Sequence, residues 1–129
     1  MKELLRKLKR FNLPESKFAI FGSGPLGVRG LRQVRDLDVI VTSDLWEELS
    51  ARFPVEDLGT HKRIPLGNIE VLSKPVLDFS AEELIAEADV INGTRFVTLE
   101  RTLEWKKKMG RKKDIEDVNL IEKYLERNG

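Results

Sequence analysis

Asp36 and Asp38 stand one residue apart at the head of the apolar run Val39-Ile40-Val41. On a strand, side chains at i and i+2 project to the same face, so this spacing aims both carboxylates in one direction. Carboxylates aimed together repel each other, and their oxygens jointly suit a hard divalent cation such as Mg²⁺ or Mn²⁺. Upstream, Phe21-Gly22-Ser23 precedes the pair by a spacer of twelve residues. Gly22 lets a ligand come close to the main chain, and the Ser23 hydroxyl with the amide groups that follow it suits a phosphate. A phosphate loop and an acidic pair would hold the two ends of one metal–triphosphate unit.

At these residues the chain resembles the nucleotidyltransferase superfamily, whose mark is an apolar residue, Gly, Gly or Ser, a spacer, and an Asp-x-Asp or Asp-x-Glu pair on a strand. The resemblance implies a third carboxylate on a later strand, and Glu70 in Ile69-Glu70-Val71 is the candidate, a Glu where the superfamily more often carries Asp. Trp105-Lys106, followed by Gly110-Arg111-Lys112-Lys113-Asp114-Ile115-Glu116-Asp117, is similar to the Lys…Gly-Arg-x-Lys-Asp-x-x-Asp pattern of stand-alone members, toxin-type and antibiotic-modifying proteins among them. By that likeness Asp36, Asp38 and Glu70 hold Mg²⁺ or Mn²⁺, while Gly22, Ser23, Lys106, Arg111 and Lys113 meet the nucleoside triphosphate.

The activity so implied is transfer of a nucleoside monophosphate from the triphosphate to an acceptor hydroxyl, with release of pyrophosphate. Similar proteins use small molecules, protein hydroxyls or RNA 3′ ends as acceptors. Since a fold does not guarantee its chemistry, the alternative is a non-catalytic nucleotide-binding or toxin–antitoxin-type interaction module of the same fold. The small size implies that a second copy in a homodimer, or a partner protein, completes the site. A competing pattern is Gly22-Ser23-Gly24-Pro25-Leu26-Gly27, which satisfies G-x-G-x-x-G after a strand and would make a dinucleotide-binding protein, with Asp44 near the place of the ribose-binding acid. It leaves Asp36 and Asp38 unexplained, and the chain lacks room for two βαβαβ halves.

The elements that must position these residues follow from periodicity. Leu4, Leu5, Leu8 and Phe11 predict a first helix over 2–11, and Lys17–Phe21 predicts a central strand. Ser23 and Pro25 suit the start of a helix carrying Leu26, Val28 and Leu31. Residues 36–41 predict the strand of the acidic pair, and 43–53 a helix. Arg63–Leu66 and Ile69–Leu72 predict a hairpin about Gly67-Asn68, with Pro65 confining the first arm to an edge. Ser80 to Glu83 is a capping box. A brief strand or turn over 90–97 precedes a helix from Thr98 to Met109 stopped by Gly110, and a last helix over 113–127 would turn Ile115, Val118, Ile121 and Leu125 inward. The expected fold is α/β (α+β), a mixed twisted sheet of four or five strands flanked by helices, with a helical C-terminal third.

At 129 residues, the length suits one nucleotidyltransferase-like domain over 1–129. A chain 40% hydrophobic and 35% charged supports a packed core under a charged surface, and the net charge of +1 singles out neither nucleic acid nor membrane. The absence of cysteine excludes disulfides, thiolate metal sites and thiol nucleophiles. His61, between Thr60 and Lys62 in a polar loop, reads as an exposed residue outside the site. The charged start Met1-Lys2-Glu3-Leu4-Leu5-Arg6 lacks the apolar core of a signal peptide and no run is of membrane-spanning length, so the expected location is the cytoplasm.

Overall fold

The computed structural model describes residues 1–73 and 79–128. Its strands are β1 (Phe18–Phe21), β2 (Leu37–Val41), β3 (Glu56–Asp57), β4 (Lys62–Leu66), β5 (Ile69–Leu72), β6 (Asp89–Ile91) and β7 (Thr94–Phe96). The helices are α1 (Lys2–Lys9), α2 (Gly24–Gly27), α3 (Ser43–Arg52), α4 (Ala81–Ala86), α5 (Leu99–Met109) and α6 (Lys112–Asn128). The strands form one mixed sheet in the order β3-β4-β5-β2-β1-β7-β6. β1 runs antiparallel to β2 and parallel to β7, while β2 runs parallel to β5. The fold is therefore mixed α+β, with helices on both sides of the sheet and a helical C-terminal part.

Alternation along the central strands divides their side chains between two cores. Phe18, Ile20, Leu37, Val39, Val41, Ile69 and Val71 form one, with Leu4 and Leu8 of α1 and Leu45 and Leu49 of α3. Ala19, Phe21, Ile40 and Leu72 point the other way and meet Leu84 and Ile85 of α4 and Trp105 of α5. A third cluster of Leu26, Leu99 and Ile121 joins α2, α5 and α6.

Local chemistry sets the helix ends. The Ser80 hydroxyl accepts from the Glu83 amide, and the Thr98 hydroxyl accepts from the Arg101 amide, so each satisfies an otherwise orphan first-turn donor. Gly110 ends α5 at φ +62°, a left-handed conformation that costs glycine little. Among the described residues, no helix is long and apolar enough to cross a membrane.

Four expectations need correction. The sheet has seven strands among the described residues, because residues 89–96 make a two-stranded hairpin and the two-residue β3 adds to β4. β4 is thus not the edge along its whole length, but β3 pairs only with Lys62 and Arg63, so Pro65, opposite Glu70, has no strand partner on its outer side among the described residues. The helix after Ser23 has only four residues, interrupted by the glycines around it, and Ser23 makes no side-chain cap bond. In α6 Ile121 and Leu125 pack inward as expected, but Ile115 is 56% exposed and the first inward positions are Asp114 and Asp117.

The last correction gives a direct test. Ile121→Ala should cost about 2–5 kcal/mol, as truncation of a fully buried side chain does, whereas Ile115→Ala should stay within about 0.5 kcal/mol of the parent. Chemical denaturation of the two variants measures both, and equal losses would contradict the assigned face.

Candidate functional site

The pairing of β2 with β5 sets Asp38 directly opposite Glu70, and β1 brings Phe21 to the other side of Asp38. Because Leu37, Val39, Ile69 and Val71 are locked in the first core, the residues between them must face the opposite side. Asp38 and Glu70 are thereby neighbours on one face. They lie on the floor of a cleft of about 1390 Å³ that also takes in Gly22, Ser23 and Asp36. One wall is the α5–α6 corner, with Trp105, Lys106, Met109, Arg111, Lys113 and Asp117. The other is the β4–β5 hairpin with Arg63, Pro65 and Gly67, continued by Thr60 and His61. All eight residues singled out in the sequence line this one cleft.

Burial drives the Asp38 carboxyl up to about 6, reinforced by the charge of Glu70, a hydrogen bond with it and the charge of Asp36; Lys106 partly offsets these. Asp36 lies just before β2 and is exposed, so the two aspartates do not share a strand as expected. Glu70 is half-buried and turned toward β4, where Arg63 Nη1 donates to its Oε1 at 2.9 Å. Gly22 adopts φ +70°, and a Cβ there would stand 2.7 Å from Asp38 Oδ2. That position must be glycine because Asp38 occupies the space a side chain would need, a reason independent of ligand approach.

The basic residues have different fates. Lys106 is 2% exposed, and its ammonium contacts Asp117 Oδ2 at 2.8 Å, Asp114 Oδ1 at 3.6 Å and Ser23 Oγ at 3.2 Å. The Ser23 hydroxyl donates in turn to Asp117 Oδ2, and Arg32 Nη1 reaches Asp117 Oδ1 at 2.8 Å. Arg111 Nε pairs with Asp114 at 2.6 Å, and Asp114 also accepts from the Arg111 amide, so it caps the start of α6. Burial raises the Asp114 carboxyl, but the Arg111 contacts and the Lys106 charge outweigh this and hold it below its usual range. Lys113 is exposed on the rim.

Asp114, Asp117 and Arg32 were missed as parts of the site. Only the repeated Asp-x-x-Asp spacing hinted that two acids share a helical face. His61, read as exposed, stands half-buried in the cleft wall with Nδ1 3.0 Å from Thr60 Oγ1. Asp44 pairs with Lys17, far from the cleft lining, and β1 and β2 are antiparallel, so the glycine-rich stretch does not open a parallel βαβ unit. The pairing does not give the parallel βαβ geometry on which the dinucleotide reading rests. No family model matches the chain, and no curated protein matches it.

The donors on the cleft floor are all carboxylate oxygens, the kind a hard divalent cation takes, and the raised Asp38 carboxyl marks acidic charge without enough counter-charge. The set fits such a cation in chemistry. As they stand, no three acidic or imidazole side chains among the described residues converge closely enough to enclose one. Asp36 lies ahead of the strand and Glu70 leans toward Arg63.

Two expectations follow. The folded protein binds the Asp38 proton more tightly than the unfolded chain does, so ionised Asp38 is a penalty to folding that is fully present above pH about 6 and fades as pH falls toward the ordinary carboxylate range. Asp38→Asn should therefore melt above the parent near neutral pH, with the two Tm values converging near pH 4, roughly the unperturbed aspartate value; a gain that persists in acid would refute the assignment. Lys106→Met, by contrast, takes the buried ammonium from Asp114 and Asp117, leaving them Arg111 and Arg32 alone, and should lose about 1–3 kcal/mol in urea unfolding. A variant as stable as the parent would mean that the ammonium is held for a ligand alone.

Proposed function

We propose that the chain is a minimal nucleotidyltransferase that moves a nucleoside monophosphate from a nucleoside triphosphate to an acceptor hydroxyl. The observation that carries this reading is the cross-strand pair Asp38–Glu70 on the floor of a cleft whose facing wall is basic. In this reading Asp36, Asp38 and Glu70 hold Mg²⁺ or Mn²⁺, which when bound polarises the triphosphate and eases deprotonation of the acceptor.

The chain's own residues do the rest. The Ser23 hydroxyl, bonded to Lys106 and Asp117, ties the loop after β1 to the α5–α6 corner, so the triphosphate meets a rigid loop. Arg111 and Lys113, on the rim, meet the negative charge that develops on the leaving pyrophosphate. Glu70 is on the hairpin side of Asp38, so the acceptor enters from that side and gives its hydroxyl proton to the Glu70 carboxylate. The acceptor oxygen then bonds to the α-phosphorus as the bond to the bridging oxygen breaks. With about 1390 Å³ the cleft exceeds the 300–1,000 Å³ typical of a single-ligand pocket, which leaves room for the acceptor.

One observation favours a second reading. Glu70 is committed to Arg63, an arrangement that also suits a non-catalytic nucleotide-binding or toxin–antitoxin-type module. Turnover separates the two. Glu70→Gln should keep Mg²⁺–ATP binding within about twofold, since the triphosphate and Asp36 and Asp38 dominate it, yet slow transfer by roughly 10²–10⁴. The acceptor is found by incubating the protein with labelled nucleoside triphosphates and a cell extract. Labelling at the parental rate by the variant removes Glu70 from the chemistry, and a parent that binds nucleotide but labels nothing favours the module.

A further inference from the structure

Arg63 belongs to no part of the chemistry described so far, yet it makes two ion pairs at the cleft. Its Nε donates to Glu56 Oε2 at 2.6 Å and its Nη1 to Glu70 Oε1 at 2.9 Å. The three residues sit on three adjacent strands, β3, β4 and β5. Arg63 and Glu70 are diagonal neighbours on one face, since Pro65 is opposite Glu70 and Arg63 opposite Leu72. Both pairs are partly exposed, with side-chain exposures of 29–49% at the four ends. Such partly exposed pairs contribute little to folding, so stability does not account for them.

Geometry does account for them. A guanidinium is a planar fork with donors in fixed directions, and Glu56 at one tine fixes how the other tine meets Glu70. Arg63 takes one oxygen of the Glu70 carboxylate, and β2 sets Asp38 directly across the strand pair on the other flank of Glu70. Glu70 is thus held between Arg63 and Asp38. The edge strand β3 consists of two exposed residues, Glu56 and Asp57, and one of them supplies the anchor.

We propose that Arg63, braced by Glu56, is a positioning residue that presents one Glu70 oxygen to the cation shared with Asp38. This rests on the metal-binding reading of the carboxylates given above. A partner that orients a metal ligand is typically worth 10–100-fold in affinity or activity, even though it never touches the metal.

The sign of the effect makes the test sharp. Arg63→Gln removes a positive charge beside a cation site, so Coulomb's law alone predicts tighter binding of a divalent cation. Loss of orientation predicts weaker binding. Mn²⁺ alone, without nucleotide, is titrated against the full chain and followed by electron paramagnetic resonance. Arg63→Gln and Glu70→Gln are each expected to weaken Mn²⁺ about tenfold, and together no more than either alone. Arg63→Lys keeps the charge but cannot span both glutamates, so it should behave like Arg63→Gln. Glu56→Gln, far from the cation, should weaken Mn²⁺ in the parent and do nothing further in Arg63→Gln. Unchanged or tighter Mn²⁺ binding in Arg63→Gln overturns the proposal, as does a parental Arg63→Lys. A parent that binds no Mn²⁺ overturns the metal reading itself, a different result from a parent that binds it and an Arg63 variant that binds it equally well.

Discussion

The register between β2 and β5 is the constraint on which the site depends. Leu37 opposite Ile69 and Val39 opposite Val71 are fully buried in one core, so a slip of either strand by one residue would drive its acid, Asp38 or Glu70, into that core and expose its two apolar side chains. The cost of such a slip greatly exceeds the repulsion between two half-buried carboxylates. The apolar pattern therefore forces the acids together. Their proximity is maintained by hydrophobic burial on the far side of the sheet, and the charge of Glu70 adds to the burial of Asp38 itself in driving that carboxyl up to about 6. Gly22 follows from the same constraint, because the room Asp38 needs is taken from the neighbouring loop.

The second organising contact is Asp117. Through it α6 is tied to Lys106 on α5, to Ser23 after β1 and to Arg32 in the segment before β2. These parts of the chain are distant in sequence, and each contributes to the cleft. An apolar contact would hold them together, but it would leave the Ser23 hydroxyl free to rotate. The ionic network fixes that hydroxyl as donor to Asp117 and acceptor from Lys106. The specificity so gained comes with vulnerability, since loss of one member leaves the others charged and buried.

How far these features were legible in the sequence differs by element. β1, β2, the β4–β5 hairpin, α4 and α5 follow from alternation, turn residues and caps, signals written in neighbouring residues. The same is true of the cleft residues on β2 and β5, because alternation fixes the face once the apolar set is known. α6 is different. Ile115, Val118, Ile121 and Leu125 form a fair apolar stripe, but Asp114, Asp117, Ile121 and Tyr124 also follow helical spacing, on an arc that overlaps it at Ile121. The choice between arcs is made by Lys106, a partner on another helix that periodicity cannot see. β3 was invisible for a related reason. Two charged residues carry no strand signal, and their pairing is set by Arg63 from the neighbouring strand.

The two acidic groups of the cleft differ in their electrostatics. Asp114 and Asp117 are almost wholly buried and are met by Lys106, Arg111 and Arg32, so a carboxylate held below its usual range is the result at Asp114. The Asp38 carboxyl is raised by its own burial first and then by the charges of Glu70 and Asp36, which Lys106 opposes in part. The shortage of counter-charge is therefore local to the floor of the cleft, where a ligand can enter from solvent. Uncompensated charge that persists in a fold able to neutralise deeper carboxylates nearby is a known mark of a functional site. It supports reading the floor as the place where positive charge is meant to arrive from outside. Arg63, the one guanidinium that touches Glu70, is held back from Asp38 by its second bond to Glu56, which keeps that shortage in place.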